Sequence, residues 1–359
     1  MKKAEQNTRA LNLAILFVGL LPLSLGGCGS SATESNAGGS GGSTLSGVGG
    51  NTSSSNVGGN TSSSNVGGNT SASDPIVGYF SVVLNPAVDA TAAYTTVFGK
   101  AYTGPVLTSV IETPAASNAQ CKVYAFSQQS CTNPSCTTQQ SCVAANVCKD
   151  NPTLVSVGEV SITGVGGSSI KLSAINKNYQ YAGEITYPGF AEGDTITLTA
   201  KGDYYPEFSV SAKGVSPIAL SESSYTIASG SPLALKWDPS GSAVKANVNL
   251  GLNISKHGGS AGYLSCDVED TGSYTIPADL ITSLINLGVA GFPQLTVTRS
   301  SRGTSAVTQG VVQLAVQSLA IPNLQVEGYC SCFNSADCGS CADKTKTTCD
   351  TVKKLCNAP

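Results

Sequence analysis

The chain has 359 residues, which is enough for one large domain or two ordinary ones. Its 19 Lys and Arg residues against 22 Asp and Glu give a formal net charge of −3, so the composition excludes a strongly basic nucleic-acid-binding protein. A single His leaves little for proton transfer near neutral pH, whereas 13 Cys indicate an oxidising compartment. We expect no cofactor and no nucleic-acid partner.

The first residues have the pattern of an export signal. Lys2, Lys3 and Arg9 precede an apolar run over residues 11–25. At about 1.5 Å per residue a helix of this length reaches about 22 Å, which is short of the ~30 Å hydrocarbon core of a membrane. We therefore predict that residues 1–27 are a signal peptide and not a spanning helix.

The apolar run ends in Leu25, Gly26, Gly27 and Cys28. This ending resembles the lipobox of bacterial lipoproteins, in which an aliphatic residue and two small residues precede a lipidated Cys. The resemblance implies that Cys28 becomes the lipid-bearing N-terminus, and the alternative is an ordinary secretory peptide. Gly29 stands where an Asp would indicate retention in the inner membrane, so the resemblance implies an outer-membrane or cell-surface location.

Residues 28–74 are predicted to be the lipid anchor and a disordered linker. From residue 29 to 74, 37 of the 46 residues are Gly, Ser, Asn or Thr, and a nine-residue unit repeats at residues 51–59 and 60–68. Such a stretch cannot bury enough apolar surface to offset the entropy of ordering. A calcium-binding β-helix also has a nine-residue period, but its repeats need Asp ligands that these repeats lack.

The rest of the chain has the periodicity of β-strands. Over residues 76–326, short alternating apolar runs are interrupted by Gly, Pro, Asn, Asp and Ser, most clearly at residues 246–254. Residues 276–288 differ, because their apolar positions have helical spacing between Pro277 and Gly288. We predict an all-β fold of one or two immunoglobulin-like antiparallel β-sandwiches, with one short helix that covers an edge or end.

The β region is divided near residue 220 on grounds of size. Residues 221–328 have the length of an immunoglobulin-like sandwich. Residues 75–220 are predicted to be a longer sandwich because they contain a Cys-rich insertion at residues 129–150, and residues 329–359 a disulfide-rich C-terminal module. A single large sandwich is the alternative.

The cysteines after Cys28 form groups of even number, as disulfides require. The insertion holds Cys131, Cys136, Cys142 and Cys148, and the C-terminal module holds Cys330, Cys332, Cys338, Cys341, Cys349 and Cys356. If both groups close internally, Cys121 and Cys266 pair with each other, which we expect between two sheets. The alternative is a zinc site formed by Cys338, Cys341, Cys349 and Cys356.

Two clusters of polar residues suggest chemistry. Ser260 is centred in a Gly-x-Ser-x-Gly match beside His257, but a hydrolase needs strand, turn and helix there, and we expect strand, loop and strand. Asp267, Glu269 and Asp270 could bind Ca²⁺, although an exposed turn with a solvated Asp270 is the favoured interpretation.

Aromatic residues give the best candidate binding site in the sequence. Residues 179–208 contain Tyr179, Tyr181, Tyr187, Phe190, Tyr204, Tyr205 and Phe208. Rings with polar tips suit stacking on sugars, and their alternative role is to fill the core. We predict that Tyr204 and Tyr205 point to opposite faces of a strand, with Asp203 or Glu207 accepting hydrogen bonds from a ligand.

Together these patterns predict a non-enzymatic lipoprotein of the bacterial envelope or surface. Its membrane contact is the N-terminal lipid, and its partner is a polysaccharide or an envelope protein. The alternative is an exported serine hydrolase that uses Ser260 and His257.

Overall fold

A computed structural model describes residues 74–359 apart from Asp89 and Gly258. The predicted signal peptide, Cys28 and the linker up to residue 73 lie outside the described residues. Within the described part of the chain, no helix has the length and apolar character needed to cross a membrane.

The described chain consists mainly of short strands. The first are β1 (Ile76–Asn85), β2 (Tyr94–Tyr102), β3 (Val110–Ser117), β4 (Cys121–Gln128), β5 (Gln140–Ala144), β6 (Val147–Asp150), β7 (Leu154–Val155) and β8 (Val160–Val165). The next are β9 (Ser168–Ile175), β10 (Asn178–Gln180), β11 (Thr195–Ala200), β12 (Phe208–Lys213), β13 (Ser224–Ile227), β14 (Leu233–Lys236), β15 (Asn247–Asn253), β16 (Gly262–Glu269) and β17 (Ser273–Ile276). Helix α1 (Ala278–Leu287) precedes β18 (Gln294–Val307), β19 (Gly310–Ala320), β20 (Asn323–Val326), a 3₁₀ helix (Ser335–Ser340), β21 (Thr348–Asp350) and β22 (Leu355–Asn357).

Most of the strands belong to one large sheet. Its hydrogen-bonded path is β12-β11-β8-β9-β10-β2-β1-β19-β18-β15-β16-β4-β3. The sheet curls, as sheets of this size do, and β12 packs back onto β18 and β19. At that crossing a Cβ on Gly303 would lie only 1.9 Å from the carbonyl oxygen of Ser211, so glycine permits the close approach of the two strands. The all-β prediction is confirmed.

The first strand of the sheet lies beside one of the last. β1 pairs with β2 in antiparallel fashion and with β19 in parallel, with Ser81 opposite Ala315. β13 and β20 form a second parallel pair. The sequence predicted antiparallel sheets, but these two strand pairs are parallel. Strand periodicity could not predict this, because it carries no information about the direction of a distant partner strand.

Two hydrophobic cores lie along the sheet. One is formed mainly by β1, β2, β7 to β12 and β19, and includes Phe80, Leu84, Ile162, Tyr179, Leu198 and Tyr205. The other is formed mainly by β4, β13 to β18, α1 and β20, and includes Leu235, Trp237, Leu250, Leu252, Ile281 and Leu284. Each core draws strands from both residues 75–220 and residues 221–328, so a division at residue 220 does not coincide with the boundary between the cores.

Helix α1 has the ends that its sequence predicts. Pro277 precedes it in an extended conformation, and Gly288 follows its last residue with a φ of 122°, which suits glycine. Leu280, Ile281 and Leu284 form its buried face. The helix packs against β3, β4 and β16, so it covers one end of the large sheet as expected.

Six disulfides join the twelve cysteines of the described residues. Cys121 pairs with Cys266 as predicted, but on the adjacent strands β4 and β16 of one sheet and not between two sheets. In the insertion the pairs are Cys131–Cys142 and Cys136–Cys148. In the C-terminal module they are Cys330–Cys341, Cys332–Cys349 and Cys338–Cys356. The four sulfurs of the alternative zinc site are thus bonded to other sulfurs.

Candidate functional site

The two tyrosines that the sequence places at a ligand site differ in burial, although their rings remain in edge-on contact with the centroids 5.0 Å apart. Both lie in a bend between β11 and β12, not in a strand. Tyr205 is 1% exposed and its hydroxyl donates to the carbonyl oxygen of Tyr102 at 2.5 Å, and burial raises the pKa of Tyr205. Tyr204 is 45% exposed, and its hydroxyl accepts a hydrogen bond from Gln309 Nε2 at 3.3 Å.

The other predicted aromatic residues belong mainly to the first core. Tyr179, Phe190 and Phe208 are buried there, and Tyr181 and Tyr187 pack against it. Asp203 and Glu207 are exposed beside Tyr204. One exposed ring therefore remains of the predicted aromatic site.

Ser260 and His257 lie in the loop between β15 and β16, which confirms the strand, loop and strand prediction. Ser260 Oγ accepts a hydrogen bond from Asn253 Nδ2 at 3.1 Å and donates to the carbonyl oxygen of Gly262 at 3.1 Å. The His257 ring packs edge-on against Phe292 with the ring centroids 5.4 Å apart. None of these contacts joins the imidazole of His257 to the hydroxyl of Ser260, so they do not pair a base with a nucleophile.

The three acidic residues of the candidate Ca²⁺ site have separate environments. Asp267 Oδ1 accepts from Asn249 Nδ2 at 2.9 Å, Glu269 is exposed, and Asp270 forms a salt bridge with Arg299. Among the described residues, the groups with metal-ligand spacing consist only of disulfide cysteines. The prediction of a solvated Asp270 is wrong, because its side chain is only 4% exposed.

Arg299 is the buried charge that sequence analysis missed. Its Nε donates to Asp270 Oδ2 at 2.7 Å and its Nη2 to Asp270 Oδ1 at 3.2 Å, a bidentate pair. Its remaining donors reach the carbonyl oxygens of Ser216, Pro217 and Asp238. The guanidinium thus connects three loops to β18. Alternation along β18 was the available signal, since Arg299 follows Leu295 and Val297 on the inward face.

Three aromatic rings from distant parts of the chain form a row that we call the aromatic ladder: His257, Phe292 and Phe333. The rings of Phe292 and Phe333 stack at 4.2 Å with 29° between their planes. Phe333 is 63% exposed, so the ladder ends in a ring that is open to solvent. Partial burial, together with the charge of Lys256, lowers the pKa of His257, which favours the neutral form of this ring at pH 7.

The backbone at Phe292 holds the ladder in place. Phe292 has a φ of 59°, in the left-handed region that bulky residues rarely adopt. Its backbone N–H donates to Ser331 Oγ at 2.7 Å, and the N–H of Gly291 donates to the carbonyl oxygen of Lys353 at 2.6 Å. A Cβ on Gly291 would lie 2.2 Å from the carbonyl oxygen of Lys354. The C-terminal module is therefore docked closely on the segment that carries Phe292.

A cleft of about 380 Å³ is formed by the same loop, segment and module, and we call it the junction cleft. Its lining includes Ser255, Ala261, Val289, Tyr329, Lys353 and Asn357. Tyr329 is 49% exposed, and Lys346 lies over its ring at 5.9 Å. The junction thus combines exposed rings, hydroxyl and amide groups and ammonium groups, which suits a ligand that has both apolar faces and polar edges.

A larger groove of about 830 Å³ lies beside the β8–β9 hairpin. Gly, Ser and Thr dominate its lining, and its one aromatic residue, Phe190, is buried in the first core. This groove offers few side chains for recognition, so we favour the junction as the candidate site.

No protein-family model matches the chain, and no curated protein matches its sequence.

Proposed function

We propose that the chain is a lipid-anchored lipoprotein of the bacterial envelope or surface, with a non-enzymatic role in binding a polysaccharide or another envelope component. The observation that carries this proposal is the aromatic ladder, which ends in an exposed ring on a disulfide-bonded module. Rings held on a rigid scaffold lose little entropy when a ligand binds. The disulfides support export to an oxidising compartment, and the lipobox resemblance supports the anchor.

The anchor has a direct test. Cys28→Ser removes the thiol that a lipid would modify, and we expect the variant to move from the membrane fraction to the soluble fraction, because acyl chains of about 0.8 kcal/mol per buried CH₂ would be lost. Fractionation followed by immunoblotting measures this. Ser30→Ala, two residues away, serves as the matched control and should remain in the membrane fraction. A Cys28→Ser variant that stays membrane-bound contradicts the anchor.

Binding is tested with the full chain carrying Cys28→Ser, purified in the oxidised form. We expect saturable binding on an array of polysaccharides and peptidoglycan fragments, or a specific envelope protein captured by crosslinking in cells. If neither is found with a folded, oxidised protein, the proposed binding role is contradicted.

A serine hydrolase remains the alternative, and Ser260 is its nucleophile. Because Ser260 hydrogen-bonds with Asn253 and Gly262, we expect a fluorophosphonate probe not to label it. In-gel fluorescence compares the oxidised wild type with Ser260→Ala and with His257→Ala. Stoichiometric labelling of the wild type that disappears in Ser260→Ala would make serine hydrolysis the favoured function over non-enzymatic binding.

A further inference from the structure

We propose that the aromatic ladder is a stacking platform for a β-1,4-linked glycan whose sugar rings have all their substituents equatorial, such as glucose or N-acetylglucosamine. This inference rests on the proposed function, since it names the ligand class of the same surface. The class follows from the shape of the ladder, from the groups beside it and from the stiffness of its backbone.

The ladder presents a flat apolar face of the size of one sugar ring. Phe333 stacks on Phe292 through one face and is 63% exposed, so its other face is open. A pyranose with equatorial substituents has C–H groups on both faces and can lie flat on such a ring. A pyranose with an axial hydroxyl cannot do so on the side where that hydroxyl projects.

Polar groups next to the ladder match the edges of a sugar. Lys256 precedes His257 in its loop, and the Lys256 ammonium is hydrogen-bonded to Gln294 Oε1, two residues beyond Phe292. The junction cleft, which is formed partly by the loop that carries His257, also presents the Tyr329 hydroxyl and the Asn357 amide. Hydroxyl, amide and ammonium groups can bond the hydroxyls of sugars further along a chain that is stacked on Phe333.

A folded protein is a poorer match for this surface. Stable protein–protein interfaces bury about 800 Å² on each partner, centred on a cluster of apolar anchors. Here the ladder offers only the exposed rings of Phe333 and His257, which lie at its opposite ends and do not form such a cluster. A glycan needs only a stacking face and hydrogen-bonding groups at its edge.

The backbone prepares the platform before a ligand arrives. Phe292 keeps its left-handed conformation because its N–H is bonded to Ser331 Oγ, and Phe333 follows Cys332, which is joined to Cys349. Strained conformations of this kind persist where the surrounding structure fixes them, often at binding sites. A glycan would therefore meet rings that are already in place.

The test uses the full chain with Cys28→Ser in the oxidised form, and cellohexaose and chitohexaose as probes. Isothermal titration calorimetry should show binding, and Phe333→Ala should bind about tenfold more weakly, as expected for the loss of one stacked ring. Phe333→Trp keeps a ring and should restore binding. Val352→Ala removes another apolar group of the module, 77% exposed, and should bind as the wild type does. Mannohexaose, whose axial 2-hydroxyl blocks one of the two faces of each sugar ring, has fewer faces that can stack and should bind more weakly than cellohexaose.

Each outcome decides a separate point. Equal affinity of Phe333→Ala and the wild type overturns the ladder as the site and leaves the proposed function standing. Equal affinity for mannohexaose and cellohexaose overturns the stereochemical assignment. If neither cellohexaose nor chitohexaose binds, the inference fails, while a crosslinked envelope partner would still support the proposed function. Thermal melting of each variant shows that a lost affinity is not lost folding.

Discussion

Asp270→Ala is expected to destabilise the protein by about 3–5 kcal/mol, the range measured when one partner of a buried ion pair is removed. The side chains of Arg299 and Asp270 are only 1% and 4% exposed, so the guanidinium would stay buried without its counter-charge. The same substitution deletes the acceptor of Trp237 Nε1 and of the backbone N–H of Ser240. Urea unfolding followed by Trp237 fluorescence measures the loss.

The chain contains a matched control for this experiment. Lys171 and Glu159 also form a salt bridge, at 3.1 Å, but their side chains are 72% and 49% exposed. Glu159→Gln should therefore change the free energy of unfolding by only about 0–1 kcal/mol. The double variant Asp270→Leu with Arg299→Met removes both charges and should be more stable than Asp270→Ala alone. If Glu159→Gln is as costly as Asp270→Ala, burial is not what makes the Arg299 pair important.

The same pair predicts how stability depends on pH. Burial raises the pKa of Asp270, but hydrogen bonds from Arg299, Ser240 and Trp237 and the charge of Arg299 outweigh it, so the pKa lies below its usual value. A carboxyl with a depressed pKa contributes stability above its unfolded pKa of about 3.9, and that contribution is lost as the pH falls through the folded pKa. Asp270→Asn should flatten this part of the curve.

Replacing Cys121 and Cys266 together by alanine is expected to lower the free energy of unfolding by about 5 kcal/mol, from chain entropy alone. This disulfide joins residues 145 apart in the sequence, and both cysteines are 0% exposed in the second core. Removing it frees the unfolded chain over that whole loop. Unfolding in urea, under conditions that keep the other disulfides oxidised, measures the change.

A short disulfide provides the comparison. Cys131 and Cys142 are only 11 residues apart, so their replacement by alanine should cost about 3 kcal/mol or less by the same relation. Because this pair lies in the insertion, we expect much of the destabilisation caused by removing it to be confined to residues 129–150. A cost equal to that of the Cys121–Cys266 variant would show that loop length is not the source of the effect.

Local patterns in the sequence predicted the local structure well. The alternation of residues 246–254 corresponds to β15, whose Val248, Leu250 and Leu252 are buried, and the helical spacing of residues 276–288 corresponds to α1. The even number of cysteines in each of the two clusters predicted the pairing of Cys121 with Cys266. In each case the decisive information lies in a period of two or 3.6 residues, or in a count, which one sequence supplies.

Features that depend on distant partners were not predictable in this way. Asp270 looked like a solvated turn residue because its partner, Arg299, lies 29 residues further on. Likewise His257, Phe292 and Phe333 come from two loops and the C-terminal module, and none of them stands out locally. The tyrosines at positions 204 and 205 stood out because they are adjacent, but adjacency does not determine which of the two rings is buried in the core.

The parallel ladder between β1 and β19 has a consequence for the order of folding. Ser81 and its partner Ala315 are 234 residues apart, so β1 must wait for nearly the whole β region before its second neighbour exists. Long-range pairing of this kind is slow, and an unpaired strand edge can recruit other chains until it is filled. A chain that leaves the cytosol beginning with its N-terminus would therefore have β1 across the membrane well before β19. We expect the large sheet to be completed only after β19 has also crossed. Until then, a chaperone of the destination compartment would have to protect the edge of β1 that β19 later occupies.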